Sequence, residues 1–168
     1  EILLTIIRIL RGGNKPRTTL RTDLQLRSDE KIIIVYNTHL TTLATNHVKV
    51  KQLEKALNYG ILQKKAPIII TGDFNYLPYQ RKALEQLMQK YDLKEATKNI
   101  NYTYIGQSNK KKAEYNFLQV ILARIAKKFY TNKLKMDYTF FKGLKLIKTE
   151  RIEVDFSDHY PIISYFNL

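Results

Sequence analysis

Ile68-Ile69-Ile70-Thr71-Gly72-Asp73-Phe74-Asn75 is the stretch on which the reading of this chain turns. Three consecutive isoleucines suit a buried strand, because β-branched side chains pack well on a pleated surface. That strand delivers a carboxylate to its C-terminal end. A carboxylate leaving a buried strand is costly to desolvate unless a metal, a cation or hydrogen-bond donors meet it. Gly72 lets backbone or ligand approach closely. Asn75 returns to the side of Asp73 if the segment stays extended, and then offers an amide donor beside the carboxylate. A Gly-Asp-x-Asn string also occurs as an ordinary turn, so it decides nothing alone.

Outward from this stretch, helices and strands alternate. Upstream, Val50, Leu53, Leu57 and Ile61 recur at helical spacing between Thr45 and Lys65, with Lys and Glu between them, and Pro67 ends the helix. Before it, Lys31 to His39 contains Ile32-Ile33-Ile34-Val35, a run that predicts a strand covered on both faces. Thr18 to Leu26 alternates like a half-buried strand, between turns at Gly12-Gly13-Asn14-Lys15-Pro16 and Ser28-Asp29-Glu30. The apolar run Ile2 to Leu10 reads as another strand, and the three strands suit a meander. It is far shorter than the ~20 residues of a membrane span and lacks the pattern of a signal peptide.

Downstream, Gln80 to Tyr91 places Ala83, Leu84, Leu87 and Met88 on one side of a second helix. A basic loop, Lys110-Lys111-Lys112, leads into a helix from Glu114 to Phe129. There Phe117, Ile121, Ile125 and Phe129 form a stripe with Arg124, Lys127 and Lys128 between. That pattern fits a core-facing helix with a solvated basic back, or a wall touching phosphates or lipid headgroups. Strands follow at Lys135 to Phe141, Leu144 to Val154 and Tyr160 to Phe166, with a turn at Gly143. The order predicts an α/β fold and one domain over residues 1–168, with a basic helical insertion near 105–134.

Composition narrows the chemistry. The 168 residues are 44% hydrophobic and 26% charged, the balance of a folded domain. There is no cysteine, which excludes disulfides, thiolate metal sites and a Cys nucleophile. The formal charge of +14 favours polyanions such as nucleic acid or an acidic membrane surface, although abundant Lys, Ile, Asn and Tyr also arise from AT-rich coding. A soluble monomer is expected, of undetermined compartment. Because the sequence opens at Glu1 directly in an apolar run, it is expected to be a fragment or a processed product.

Only three histidines are present. His39 ends an apolar strand, His159 follows Asp158 directly before another, and His47 lies near a helix start without an acidic neighbour in sequence. Asp137 interrupts a strand-like run where Asp is disfavoured, which suits a carboxylate that holds an imidazole in one tautomer, or an edge position facing water. On an extended backbone Asp158 and His159 point to opposite faces and so have different jobs.

Taken in order, Asn37-Thr38-His39-Leu40, Gly72-Asp73-Phe74-Asn75 with Pro78, Met136-Asp137-Tyr138-Thr139-Phe140 and Ser157-Asp158-His159-Tyr160-Pro161 resemble the motifs of the endonuclease/exonuclease/phosphatase superfamily. Pro16-Arg17 and Tyr102-Thr103-Tyr104 are weaker echoes of the same pattern. The resemblance implies a deoxyribonuclease I-like four-layer α/β sandwich of two mixed sheets, with Mg²⁺ or Mn²⁺ as cofactor. It implies that Asp73 orients or deprotonates the attacking water and that Asn75 donates to a phosphoryl oxygen. His159, positioned by Asp137, would stabilise charge or move a proton. His39 would assist on the phosphate or leaving-group side, Asp158 would join the metal cluster, and Arg17 would contact phosphate. The implied activity is a Mg-dependent phosphodiesterase on nucleic acid. A phospholipid or phosphoinositide phosphoesterase, and a truncated polyanion-binding module, are the alternatives. The family's N-terminal Asn and its Gln-Glu motif have no counterpart here, so the N-terminal part is expected to be missing and metal binding weakened.

Overall fold

Strand-forming and helix-forming segments fall close to where the hydrophobic periods place them. The computed structural model describes residues 17–27, 31–42, 44–60, 66–76, 81–105 and 133–168. Strands β1 (Thr19–Gln25) and β2 (Ile32–His39) precede helix α1 (Asn46–Gly60), strand β3 (Ile68–Asp73) and helix α2 (Arg81–Lys90). Then come short strands β4 (Lys94–Glu95), β5 (Tyr104–Ile105) and β6 (Lys133–Leu134), followed by β7 (Asp137–Lys142), β8 (Lys145–Arg151) and β9 (Ile162–Asn167). The expected strand at Ile2 to Leu10, the turns at 12–16 and 28–30, Ile61 and the basic helix from Glu114 to Phe129 lie outside the described residues.

Five strands form one mixed sheet in the order β1-β2-β3-β7-β4, while β5-β6 and β8-β9 are two-stranded antiparallel pairs. β2 and β3 are parallel and are joined through α1, a crossover connection that covers one face of the sheet. The core lies on that face. Ile34, Tyr36, Ile68, Ile70 and Phe140 from the sheet pack with Leu53 and Leu57 of α1 and with Leu84, Leu87 and Met88 of α2. Phe74 joins this core between Tyr138 and Phe140, at ring separations of 5.4 and 5.6 Å.

Two expectations about burial are corrected. Ile32-Ile33-Ile34-Val35 is not covered on both faces, because burial alternates along β2 and Ile32 is exposed. Nor is β1 half-buried. It forms the edge of the five-stranded sheet with nearly every residue exposed, including Leu20 and Leu24. The meander is seen for the antiparallel pair β1-β2 only.

Gly72 is required by the parallel pairing. It adopts φ +132°, and a Cβ built there would lie 2.0 Å from the carbonyl oxygen of Thr38. The close approach that Gly72 permits is thus between backbones, at the point where β2 and β3 deliver His39 and Asp73.

Among the described residues, the β8-β9 ribbon meets the rest of the molecule through few contacts. Phe166 packs on Phe141 at 5.0 Å, and the Arg151 guanidinium lies 3.8 and 4.6 Å from the rings of Tyr102 and Tyr160. No described helix is long and apolar enough to cross a membrane.

Candidate active site

Strand register brings the predicted residues together. Parallel pairing sets His39 beside Asp73, and antiparallel pairing sets Asp73 opposite Asp137, so three neighbouring strands present their polar residues in one row at one end of the sheet. His39 Nε2 lies 3.5 Å from Asp73 Oδ2. At the other end of the row His159 Nδ1 lies 2.8 Å from Asp137 Oδ2. Asp137 is the first residue of β7, so the interruption seen in the sequence is a strand start and not a strand interior.

Asn75 reaches Asp73 by a turn and not by extension. Its backbone is left-handed, with φ 48°, a conformation that Asn tolerates better than most residues. The N–H of Asn75 donates to Asp73 Oδ1 at 2.8 Å, and its side-chain amide donates to Asp73 Oδ2 at 3.0 Å and to the carbonyl of Leu40 at 3.1 Å. Both amide protons are therefore directed at protein groups, and a contact to a phosphoryl oxygen needs one of them released. Burial pushes Asp73 above the ordinary carboxylate range. Asp137 adds to the rise, while the Asn75 N–H, His159 and His39 oppose it.

His159 is held from several directions. The hydrogen bond its ring N–H donates to Asp137 raises its pKa, burial acts against that, and the charges of Asp137, Asp73 and Asp158 add to the rise. Its N–H donates to Ser157 Oγ at 3.1 Å, and the ring of Tyr104 stands edge-on at 5.0 Å. Asp158 sits beside this assembly, with its carbonyl accepting from the Ile105 N–H. Arg17 reaches the row from β1's side. Its guanidinium is 3.2 Å from His39 Nε2 and donates to Thr42 Oγ1 at 3.2 Å. His47 is exposed in the first turn of α1, away from these contacts.

Two residues support the row in ways the sequence reading did not point to: Lys49, and Thr103 of the weaker Tyr102-Thr103-Tyr104 echo. Lys49 is fully buried, and its ammonium donates to the carbonyl of Asn75. Burial lowers its pKa from 10.5 to about 8, with Asp73 pulling the other way. The signal was present, since Lys49 stands four residues before Leu53 and eight before Leu57, on the apolar stripe itself. Thr103 is also fully buried. Its hydroxyl accepts from the N–H groups of Met136 and Asp137 at 3.0 and 2.9 Å, and its carbonyl accepts from Tyr160 at 2.8 Å. One threonine thus ties together the segments that carry Asp137 and His159.

Among the described residues no group of three or more His, Asp or Glu side chains is arranged to hold a metal ion. Asp73 already accepts twice from Asn75, and Asp137 is engaged by His159. Asp158 is thus the carboxylate of the row left for a hard cation, and the described residues do not by themselves fit a complete divalent-metal site.

No family model matches the chain. It is 25% identical over 154 residues to a UPF0294 protein of Vibrio campbellii, covering 91% of this chain and 46% of that protein. The chain thus spans about half the length of the curated relatives it matches. Among solved structures it resembles an endonuclease/exonuclease/phosphatase from Bacteroides vulgatus, with TM-score 0.61 and 20% identity over 90% of this chain and 56% of that one. It also resembles D. rerio TDP2 complexed with single strand DNA product, with TM-score 0.62 and 16% identity over 94% and 64%. A third likeness is to a Bacteroides thetaiotaomicron mannosyl-6-phosphatase, with TM-score 0.61 and 16% identity over 94% and 59%.

Proposed function

From the premise that this chain has the deoxyribonuclease I-like fold of endonuclease/exonuclease/phosphatase proteins, we propose that it is the C-terminal portion of a phosphoester hydrolase acting on nucleic acid. The observation that carries the reading is the row His39, Asp73 and Asp137, set by strand register at one end of one sheet, with His159 hydrogen-bonded to Asp137 from the segment leading into β9. Phosphoryl transfer depends chiefly on positioning and on stabilising charge, and the row supplies groups for both.

In this reading Asp73 orients a water and takes its proton as the water oxygen attacks phosphorus. The elevated pKa of Asp73 makes it a better base than an exposed aspartate. The bond from phosphorus to the leaving oxygen breaks, and an imidazolium on the row, His39 or His159, returns a proton to that oxygen. The raised pKa of His159 favours its charged form, which suits stabilisation of the negative charge that builds on the phosphoryl oxygens. Asn75 keeps the Asp73 carboxylate in one orientation, and Arg17 contacts substrate phosphate.

Mg²⁺ or Mn²⁺ belongs to the proposal as an expected cofactor held through Asp158, with the remaining ligands and the four-layer arrangement of two sheets supplied from outside the described residues. Nucleic acid is favoured as substrate by the net charge of +14 and by the likeness to a nuclease-family fold. The direct test assays the chain, and a version extended upstream, on a generic phosphodiester with Mg²⁺. The extended form should hydrolyse it and its Asp73→Asn variant should lose at least a hundredfold in kcat. Equal inactivity of both forms would sink the enzyme reading.

A further inference from the structure

Beside His39, on the side away from Asp73, a cleft of about 320 Å³ opens between β1, the end of β2 and α1. Its lining includes Arg17, Lys55, His39, Thr19 and Thr38, with no carboxylate among the described lining residues. Arg17 has no acidic partner among the described residues, and its Nε is buried without a hydrogen-bond partner. Lys55 is exposed and forms no ion pair among the described residues. The hydroxyls of Thr19 and Thr38 lie 3.0 Å apart, so one proton serves that bond and the other remains available.

A second cleft, about 670 Å³, gives the contrast. It also holds cations, but there Glu95 takes Arg81 and Lys135 while Glu85 takes Arg81 again. Arg81 and Lys135 are thus already paired there, and of its lining cations Lys98 alone has no carboxylate partner among the described residues. In the cleft beside His39 two full cations face open space with nothing to balance them, an arrangement that calls for an anion from solution.

We propose that the cleft lined by Arg17 and Lys55 is a second phosphate subsite, which holds the phosphate next to the scissile one along a nucleic-acid strand. The proposal rests on the reading of the His39–Asp73 row as the reaction site. His39 is shared by the two, its Nε2 lying 3.2 Å from the Arg17 guanidinium and 3.5 Å from Asp73 Oδ2, with Arg17 reaching it from the β1 side and Asp73 from β3, so a strand crossing His39 places adjacent phosphates in both. The subsite selects substrates with at least two neighbouring phosphates over those with one.

The test measures binding in EDTA, where turnover plays no part. Amide chemical shifts are followed while the full chain is titrated with thymidine dinucleotide, which has one phosphate, and with the trinucleotide, which has two. The trinucleotide should bind at least fivefold more tightly, with shifts at Thr19 and Lys55. Lys55→Glu should abolish that advantage, whereas Lys82→Glu, an equal charge change on α2 outside the cleft, should leave it within twofold. An equal loss in Lys82→Glu, or no loss in Lys55→Glu, overturns the subsite. Inorganic phosphate binding the cleft as tightly as the trinucleotide overturns the strand assignment. A trinucleotide advantage that depends on Lys55 in a chain without hydrolysis would uphold the subsite while removing the enzyme reading.

Discussion

The sheet core β2-β3-β7 and the ribbon β8-β9 are built from similar strand-forming sequence, yet they stand differently. In the core, Ile34, Ile68, Ile70 and Phe140 are almost fully buried under α1 and α2. In the ribbon, Ile147, Ile163 and Tyr165 remain exposed, and its apolar anchorage is largely Phe166 on Phe141. The candidate site is divided between the two. His39, Asp73, Asn75 and Asp137 stand on the core sheet or its exits, whereas Asp158 and His159 arrive on the segment leading into β9. The site's integrity therefore depends less on the core, which is secured many times over, than on the few links that dock the second segment.

Breaking the core should have the largest effect. Gly72→Val puts a branched side chain where the Thr38 carbonyl lies and forces φ +132° on a residue that avoids it, so it should cost at least about 3 kcal/mol. Urea unfolding measures this, and a loss below 1 kcal/mol would show that the β2-β3 register is looser than described. Breaking the link should cost less overall but more locally. Thr103→Val leaves the N–H groups of Met136 and Asp137 without their acceptor, worth about 1–3 kcal/mol, and Thr103→Ser should restore most of it. Hydrogen exchange should then accelerate at Tyr160 and Ile105 while β2 and β3 stay protected. Uniform acceleration would mean that core and ribbon open as one unit.

The smallest effect concerns Asp137→Asn, expected to stay within about 1 kcal/mol because the pair is partly exposed. His159 has a raised pKa in the folded chain, so its pairing with Asp137 stabilises fully below the unfolded value near 6.5. That contribution fades as pH rises through the folded value. The gap between wild type and variant should therefore be widest in mild acid and close in alkali, and a gap that widens with pH would contradict the assigned pairing.

Much of this was legible because local rules and global fold agree. Strands announce themselves through Ile32 to Val35 and Ile68 to Ile70, and the His39 and Asp73 motifs fall where these strands end, whereas Asp137 opens a strand and His159 precedes one. What escaped depends on tertiary contact. Burial of Ile32 to Val35 on both faces was inferred from composition, but coverage depends on what packs above and below, and one side of β2 is only partly covered. Lysines are rarely buried, so position alone does not single out Lys49 within the helix, and the Asn75 carbonyl that its ammonium meets explains the exception. Thr103 lies in the weak Tyr102-Thr103-Tyr104 echo, but nothing local marks it as a tie, since its backbone partners Leu134, Met136, Asp137 and Tyr160 lie more than thirty residues away. Asn75 was placed correctly beside Asp73, but by a turn whose left-handed backbone no alternation pattern encodes.

Lys49 also gives the site an alkaline limit. Its ammonium is a buried cation beneath the Asp73 end of a row that also holds His39, His159 and Arg17, and it holds its proton only up to about pH 8. Above that point the interior counter-charge beneath Asp73 is discharged, so that end of the row attracts an incoming phosphate less without any atom having moved.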